Sequence, residues 1–483
     1  MDSLSSLGRG TVVLLVICLV IARGFEFVNG FHDTANAVAT VIYTKSLRPH
    51  VAVIWSGLMN FLGVLLGGTA VAFSIVHLLP VDLIVNIGAT SGILMIFSLL
   101  VTAVLWNVAT WYLGIPSSSS HTLIGSILGV GLMSSLFAGH IGSGVNWTKA
   151  QQIGLSLLIS PLIGFCCAGA LLLVAKAFIK DKRLYEAPED NSPPPFWIRS
   201  ILCITCTGVS FAHGSNDGQK GMGLIMLILM GIMPSQYALN PAIKADAMSK
   251  AVVSLQKTES ILQKYPDTQK GKWAKLPVEL AHIRTTLAGK SALSEISPDL
   301  RKSLRADILK ADELLGKLDK SGDVRFTRED KETLKQARKQ IVGMVDFVAL
   351  WVVIAVAVAL GLGTTIGWKR IATTIGEHIG KTHMTYAQGA SAELVAMLTI
   401  ASADLIGLPV STTHVLSSGV AGTMVTNRSG LQFKTVRNIL LAWVLTLPVT
   451  IAGSALLFYV ISGGSIKTEL PVSPAPIVKP VKP

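Results

Sequence analysis

The sequence predicts an all-α polytopic membrane protein. Two inverted-topology repeats of about five spans each, roughly 10–12 transmembrane segments in all, are expected, with broken or re-entrant helices at the site. Three observations predict this. Of 483 residues, 51% are apolar and only 14% charged, with a mean hydropathy of +0.57, too apolar for a soluble globular chain. Runs of about 20 residues with few charges recur, long enough to cross a hydrocarbon core of ~30 Å. Two short polar motifs each occur twice, in the same order.

Apolar spans lie near 10–28, 51–77, 83–106, 122–139 and 152–175, giving a first repeat over residues 1–178. Residues 11–22 do not read as a convincing cleaved leader: the flank is weakly basic, no small-residue cleavage site is obvious, and more spans come after. A cytoplasmic linker is expected at 179–199. The second repeat, 200–234 and 345–465, holds spans near 197–212 with 221–234, 345–366, 392–407, 415–425 and 438–462. It is interrupted by a hydrophilic stretch, 235–344, with apolar residues at helical spacing, as in "DLRKSLRADILKADELLGKL". A soluble helical insert is predicted there. The proline-rich end, 466–483, is expected to be a disordered tail.

The net charge of +13 does not imply a nucleic-acid partner. Residues 235–344 hold 21 of the 41 Lys+Arg but also 14 of the 28 Asp+Glu, a mixed-sign pattern of solvated helices. Cys18, Cys166, Cys167, Cys203 and Cys206 all fall in apolar runs. The Cys203–Cys206 spacing reads as small packing residues on a membrane helix rather than a metal or redox pair.

The repeat is visible in the motifs. "NGFHDTANAVAT" (29–40) aligns with "AHGSNDGQKGMG" (212–223), placing Asp33 on Asp217 and Gly30 on Gly214, an offset of 184. "YLGIPSSSSHTLIG" (112–125) aligns with "LIGLPVSTTHVLSS" (405–418), an offset of 293. It pairs Gly114 with Gly407, Pro116 with Pro409, Ser118 with Ser411, and His121 with His414. The offsets differ by 109, almost the length of the insert. Short loops carrying Lys45 and Arg48, Lys176 to Arg199, Lys369 to Lys381, and Arg428 to Arg437 all fall on one side, predicted cytoplasmic. An odd number of spans per half then turns the halves upside down relative to one another, with a site at the midplane. The insert and both termini are expected outside, in the periplasm.

Asp33 and Asp217 stand at matching positions beside Asn29, Asn36, Asn216 and Gln219. Intramembrane acids are costly and usually line a polar cavity. The bland alternative, a helix cap at the interface, explains one acid better than a symmetric pair. Gly30, Gly214, Gly218 and Gly221 suit helices broken at such a cavity. "PSSSSHT" (116–122) and "PVSTTHV" (409–415) read as helix starts, Pro then Ser/Thr. Two such N-termini aimed at one point offer hydroxyls, free N–H groups and positive dipole ends to a tetrahedral oxyanion. Acids beside an oxyanion fit if a proton or a divalent metal neutralises the charge before transit, which favours coupled symport over a pore. His32 and His213, beside the acids, are relay candidates. His121 and His414 read first as structural. Glu393 is either a coupling acid or a solvated one; Glu26, Asn60 and Asn107 are weaker signals of the same kind. Lys220, where the first copy has Asn36, could pair with Asp217 or touch the anion.

At these residues the chain resembles the inorganic phosphate transporter (PiT) family, specifically its bacterial low-affinity phosphate:proton symporter branch. "NGFHDTANAVATVIYT", "PSSSSHTLIG", "FAHGSNDGQKG", "TIGWKRIATTIGEHIG" and "LPVSTTHVLSS" carry the resemblance in order across the membrane part. It implies that Asp33, Asn36, Asp217, Ser118, Ser119, Ser120, Ser411, Thr412 and Thr413 line the phosphate site; Gln219 joins this set from its place beside Asp217. Asp33, Asp217, Glu393, His32 and His213 are the ion-coupling candidates. The resemblance also implies import of a neutral divalent metal–phosphate complex (magnesium or similar) with protons, through the bacterial inner membrane. Eukaryotic relatives use sodium. The second copy, "GSNDGQK", lacks an asparagine three residues after Asp217, which puts a full sodium site in doubt. Partners expected are phosphate, proton, divalent metal and lipid, with no permanently bound metal, no cofactor and no nucleic acid; a homo-oligomer is left open. Alternatives are sodium coupling, or another tetrahedral oxyanion such as sulfate or arsenate. A channel would not need repeated acids beside anion donors. No HExxH, GxSxG or Walker-type run points to an enzyme.

Overall fold

The computed structural model describes residues 8–80, 90–137, 139, 142–188 and 193–464, without the side chains at 34, 36, 90, 91, 234, 235, 294 and 299. The tail expected at 466–483 lies outside the described residues. Apart from an isolated bridge between Gly380 and Leu431, the described regular structure is helical.

The first half contains α1 (Arg9–Tyr43), α2 (Pro49–Leu66), α3 (Ala70–Val76), α4 (Thr90–Tyr112), α5 (Ser119–Phe137) and α6 (Trp147–Phe178). Then comes α7 (Phe196–Ile232). The insert supplies α8 (Ala245–Lys264), α9 (Lys275–Leu287), α10 (Pro298–Ser321) and α11 (Arg328–Val342). The chain returns with α12 (Leu350–Thr364), α13 (Lys369–Glu377), α14 (Tyr386–Leu405), α15 (Thr412–Thr426) and α16 (Phe433–Ile461).

Seven described helices are long and apolar enough to cross a membrane, or eight if α12 and α13, bent by 62°, form one span. The ten stretches read from the sequence are therefore not ten simple spans. Residues 392–407 and 415–425 lie in α14 and α15, helices outside that set. The run 51–77 divides at Gly67 and Gly68 into α2 and the seven-residue α3.

The expectation that α1 and α7 break at their glycines is corrected: both run unbroken, over 35 and 37 residues. The glycines serve close approach instead. A Cβ at Gly30 would overlap the backbone of Leu360 on α12, and one at Gly214 that of Asn60 on α2. The breaks lie at the second motif pair. Gly114 and Gly407, at φ +67° and +68°, turn the chain between α4 and α5 and between α14 and α15. A Cβ disfavours that left-handed backbone, so glycine fits both positions.

The halves exchange the same contacts. α1 packs on α12 as α7 packs on α2, and α5 packs on α16 as α15 packs on α6. Basic loops gather at one end, where Arg199 Nε donates to Ser46 O at 2.8 Å and Lys176 Nζ to Asn427 Oδ1 at 2.5 Å. The insert sits at the other end with an apolar core of its own, including Leu255, Trp273, Leu280, Leu304 and Ile341. Buried Arg305 closes its base: Nη1 donates to Ala238 O at 3.0 Å and Val345 O at 2.7 Å, where the chain enters and leaves.

Candidate functional site

The two acids meet. Asp33 on α1 and Asp217 on α7 are both buried, and with His213 they offer ligand atoms within 4.8 Å of one another. Sequence placed them on matching helices. Packing α1 directly along α7 brings them to one point.

Both hydroxyl-bearing helix starts reach Asp33. Ser119, in the first turn of α5, donates to Asp33 Oδ2 at 2.7 Å and lies 3.4 Å from Asp217 Oδ2. Thr413, in the first turn of α15, donates to Asp33 Oδ1 at 2.8 Å. The preceding serines cap: Ser118 Oγ accepts from His121 N at 3.2 Å, and Ser411 Oγ from His414 N at 3.1 Å. Each helix start thus offers its first N–H groups and its positive end to the same region.

The neighbouring imidazoles differ. Thr110 Oγ1 donates to backbone carbonyls of its own helix, so it accepts from His32 Nε2 at 3.1 Å. His32 Nδ1 stands 2.8 Å from Asp33 Oδ1, a contact that needs one hydrogen. One hydrogen bond therefore joins the pair, and its donor depends on the imidazole tautomer. His213 Nδ1 donates to Asn60 Oδ1 at 2.8 Å, leaving Nε2 facing Asp217 at 3.4 Å. Lys220, fully buried, resolves the sequence ambiguity: its Nζ pairs with Asp217 Oδ1 at 2.7 Å.

Other predicted residues go elsewhere. Ser120 donates to Val410 O at 2.7 Å, bracing one helix start against the loop before the other. Thr412 is buried with no partner for its hydroxyl. Gln219 is used up away from the acids: Oε1 accepts from Val71 N at 2.8 Å, and Nε2 donates to Asp404 Oδ1 at 2.5 Å. Glu393 sits between α1 and α7, taking one hydroxyl each from Thr40 and Thr205. His121 and His414 pack ring to ring at 4.5 Å, and His414 stacks on Trp443 at 3.9 Å. The side chain of Asn36 lies outside the described residues.

Two acids carried little weight in sequence. Glu26, two turns before Asp33, is fully buried against Gly221, with the buried Asn29 amide as its neighbouring polar group among the described residues. Asp404 accepts from Ser215 Oγ at 2.5 Å as well as from Gln219, tying α14 to α7. An acid within the apolar run "IASADLIG" was its available signal.

The centre thus combines oxyanion donors (Ser119, Thr413, Lys220 and two helix N-termini) with acceptors able to hold a proton or a divalent cation (Asp33, Asp217, His213). Carboxylate oxygens suit hard cations, and the imidazole nitrogen widens the choice toward transition metals.

A family model described as "Phosphate transporter family" matches residues 29–454. The chain is 42% identical to "Low-affinity inorganic phosphate transporter PitB" of Escherichia coli (strain K12), over 93% of this chain and 97% of that relative. It is 40% identical to "Low-affinity inorganic phosphate transporter" of Buchnera aphidicola subsp. Acyrthosiphon pisum (strain APS), over 95% and 98%. The fold is similar to a solved structure titled "The sodium-dependent phosphate transporter", with a TM-score of 0.53 at 19% identity, over 93% of this chain and 99% of that one.

Proposed function

The chain belongs to the phosphate transporter family, a family of multi-pass membrane transporters and not of enzymes, and we propose that it imports inorganic phosphate across the bacterial inner membrane by proton symport. The observation that carries this reading is the Asp33 carboxylate. It takes hydroxyls from both helix starts while hydrogen-bonded to His32, a pair that in this reading carries the coupled proton. When phosphate takes over Ser119 and Thr413 as donors, the proton on the His32–Asp33 pair keeps Asp33 neutral beside the oxyanion, or lets it donate. Binding of anion and proton thereby favour each other, which is what symport requires.

A divalent cation travels as part of the cargo in this reading, bridging a phosphate oxygen to Asp33, Asp217 or His213. Metal–phosphate with balanced charge crosses a low-dielectric centre more cheaply than either ion alone. Proton coupling is favoured over sodium because Lys220 already places a fixed ammonium on Asp217, at the position where the first repeat has Asn36. The exchanged helix contacts support an inverted pair of repeats. α5 runs from the centre toward the insert end and α15 from the centre toward the basic-loop end, so both N-termini face inward. Basic loops would be cytoplasmic and the insert periplasmic.

The test is radiolabelled phosphate uptake into proteoliposomes under an imposed pH gradient, with and without magnesium and sodium. Accumulation driven by the pH gradient without sodium is expected, and magnesium should increase it. Sodium-dependent uptake indifferent to the pH gradient would refute proton coupling, and sulfate competing as well as arsenate would refute phosphate selectivity.

A further inference from the structure

At the insert end, a cavity of about 530 Å³ lies between the membrane part and the insert. Its floor is α3 and the start of α6; its roof is α10 and α11. Six cationic side chains line it: Lys149 from the floor and Lys317, Lys320, Lys335, Arg338 and Lys339 from the roof. Three acids accompany them, and two of these are paired with cavity cations while the third faces a histidine. Asp312 accepts from Arg338 Nε at 2.8 Å, Glu313 from Lys317 Nζ at 2.5 Å, and Asp346 faces His77 at 3.6 Å. Among the described residues, Lys149, Lys320, Lys335 and Lys339 have no ion pair. Lys149 lies within the field of Lys320 and Arg338 as well as of Asp312 and Asp346. Like charges gathered from three helices around one open cavity repel, and an anion held there relieves the repulsion.

The floor of this cavity is fastened to the transport site. The first N–H groups of α3 are held by Gln219, two residues beyond Asp217. Ser74 Oγ of α3 donates to Gly407 O at 2.6 Å, at the head of the loop leading to Thr413. One seven-residue helix thus lines the basic cavity and is tied both to α7, two residues beyond Asp217, and to the loop leading to Thr413.

We propose that this cavity is an outer loading site for free inorganic phosphate, and that the insert exists to complete it. The inference rests on phosphate being the cargo. The vestibule concentrates hydrogen phosphate from the periplasm through its uncompensated lysines, and α3 is the barrier the anion passes to reach Ser119 and Asp33.

Two variants test it: Lys320→Gln with Lys335→Gln on the roof, and Lys149→Gln on the floor. At low ionic strength each should raise KM for phosphate uptake roughly threefold or more at unchanged Vmax. On the order of 1 M salt, where screening acts within about 3 Å, the difference from the unmodified protein should vanish. Unchanged KM, or a fallen Vmax at unchanged KM, would overturn the proposal. So would a KM effect confined to liposomes containing anionic phospholipid and absent in phosphatidylcholine, because the cavity would then hold a lipid headgroup. A second arm does not depend on transport: radiolabelled phosphate binding to detergent-purified protein carrying Asp33→Asn and Asp217→Asn. Salt-sensitive binding that disappears when Lys320→Gln and Lys335→Gln are added supports the loading site, and binding indifferent to them refutes it. If the unmodified protein does not accumulate phosphate, the proposed function falls, while the binding arm still decides the vestibule.

Discussion

Replacing Asp33 by asparagine preserves shape and removes the charge, the exchangeable proton and one acceptor. In the structure Oδ2 takes Ser119 at 2.7 Å, and Oδ1 takes Thr413 at 2.8 Å and His32 at 2.8 Å. The amide nitrogen must replace one of these oxygens. Toward Ser119, it meets a hydroxyl that can turn only to Asp217 Oδ2, at 3.4 Å. Toward Oδ1, it faces both Thr413 and His32. Either way at least one hydrogen bond to a charged group is lost, about 1.5–3 kcal/mol. In the proposed binding step the proton-bearing pair makes a contact of the same strength to the bound oxyanion; without that contact, at 1.36 kcal/mol per decade, phosphate affinity falls roughly 10- to 100-fold. Accumulation should fall further, because the His32–Asp33 proton no longer exists to couple. Stability should change little, because removing a buried charge offsets the hydrogen bond lost in the folded protein. The assay is pH-driven phosphate accumulation in proteoliposomes, paired with Tm of the purified protein. Uptake abolished at a retained Tm is expected. Accumulation equal to that of the unmodified protein refutes the coupling role, and loss of both uptake and Tm shows that Asp33 only holds helices together.

Gly214→Ala should push α2 off α7 at Asn60 and take Asn60 from His213, costing about 1–3 kcal/mol by overpacking; a thermal shift in detergent measures it. Arg305→Ala leaves the carbonyls of Ala238 and Val345 without their buried donor, at about 1–3 kcal/mol each. Limited proteolysis should then cut the insert while the membrane helices stay protected. In the insert, Asp323 and Asp330 are held below the ordinary carboxylate range, chiefly by hydrogen bonds from Lys272 and Tyr265. The unfolded insert therefore takes up more protons as pH falls. Thermal unfolding of the insert should be constant above about pH 4 and drop below it; a Tm that rises on acidification contradicts this.

Much of the site was legible in the sequence. Asp33 and Asp217 declared themselves as acids in apolar runs at matching positions, and the Pro-Ser/Thr motifs as helix starts. The insert was legible too, since mixed charge with helical spacing cannot belong to a lipid-facing segment. Less was legible where one signal has two physical causes. Glycines near Asp33 and Asp217 suit a broken helix and a close helix crossing equally well, and only the backbone of α2 and α12 beside them chooses. Gln219 stands two residues from Asp217, but about 100° per residue on a helix turns it toward α3 and Asp404.

The chain's own pattern of residues determined that it is a membrane protein of two related halves, with paired acids and paired hydroxyl-bearing helix starts, because composition and local spacing act over a few turns. Which hydroxyl of each run meets the acids was decided only by tertiary structure. Ser119 and Thr413 are not equivalent in the aligned motifs, yet both reach Asp33, because successive residues at a helix start point in different directions and the packing of α5 on α16 and α15 on α6 selects among them. The same holds for the basic cavity: Lys149 meets cations of α10 and α11 that lie more than 160 residues further along the chain, and no local pattern records that they face one another.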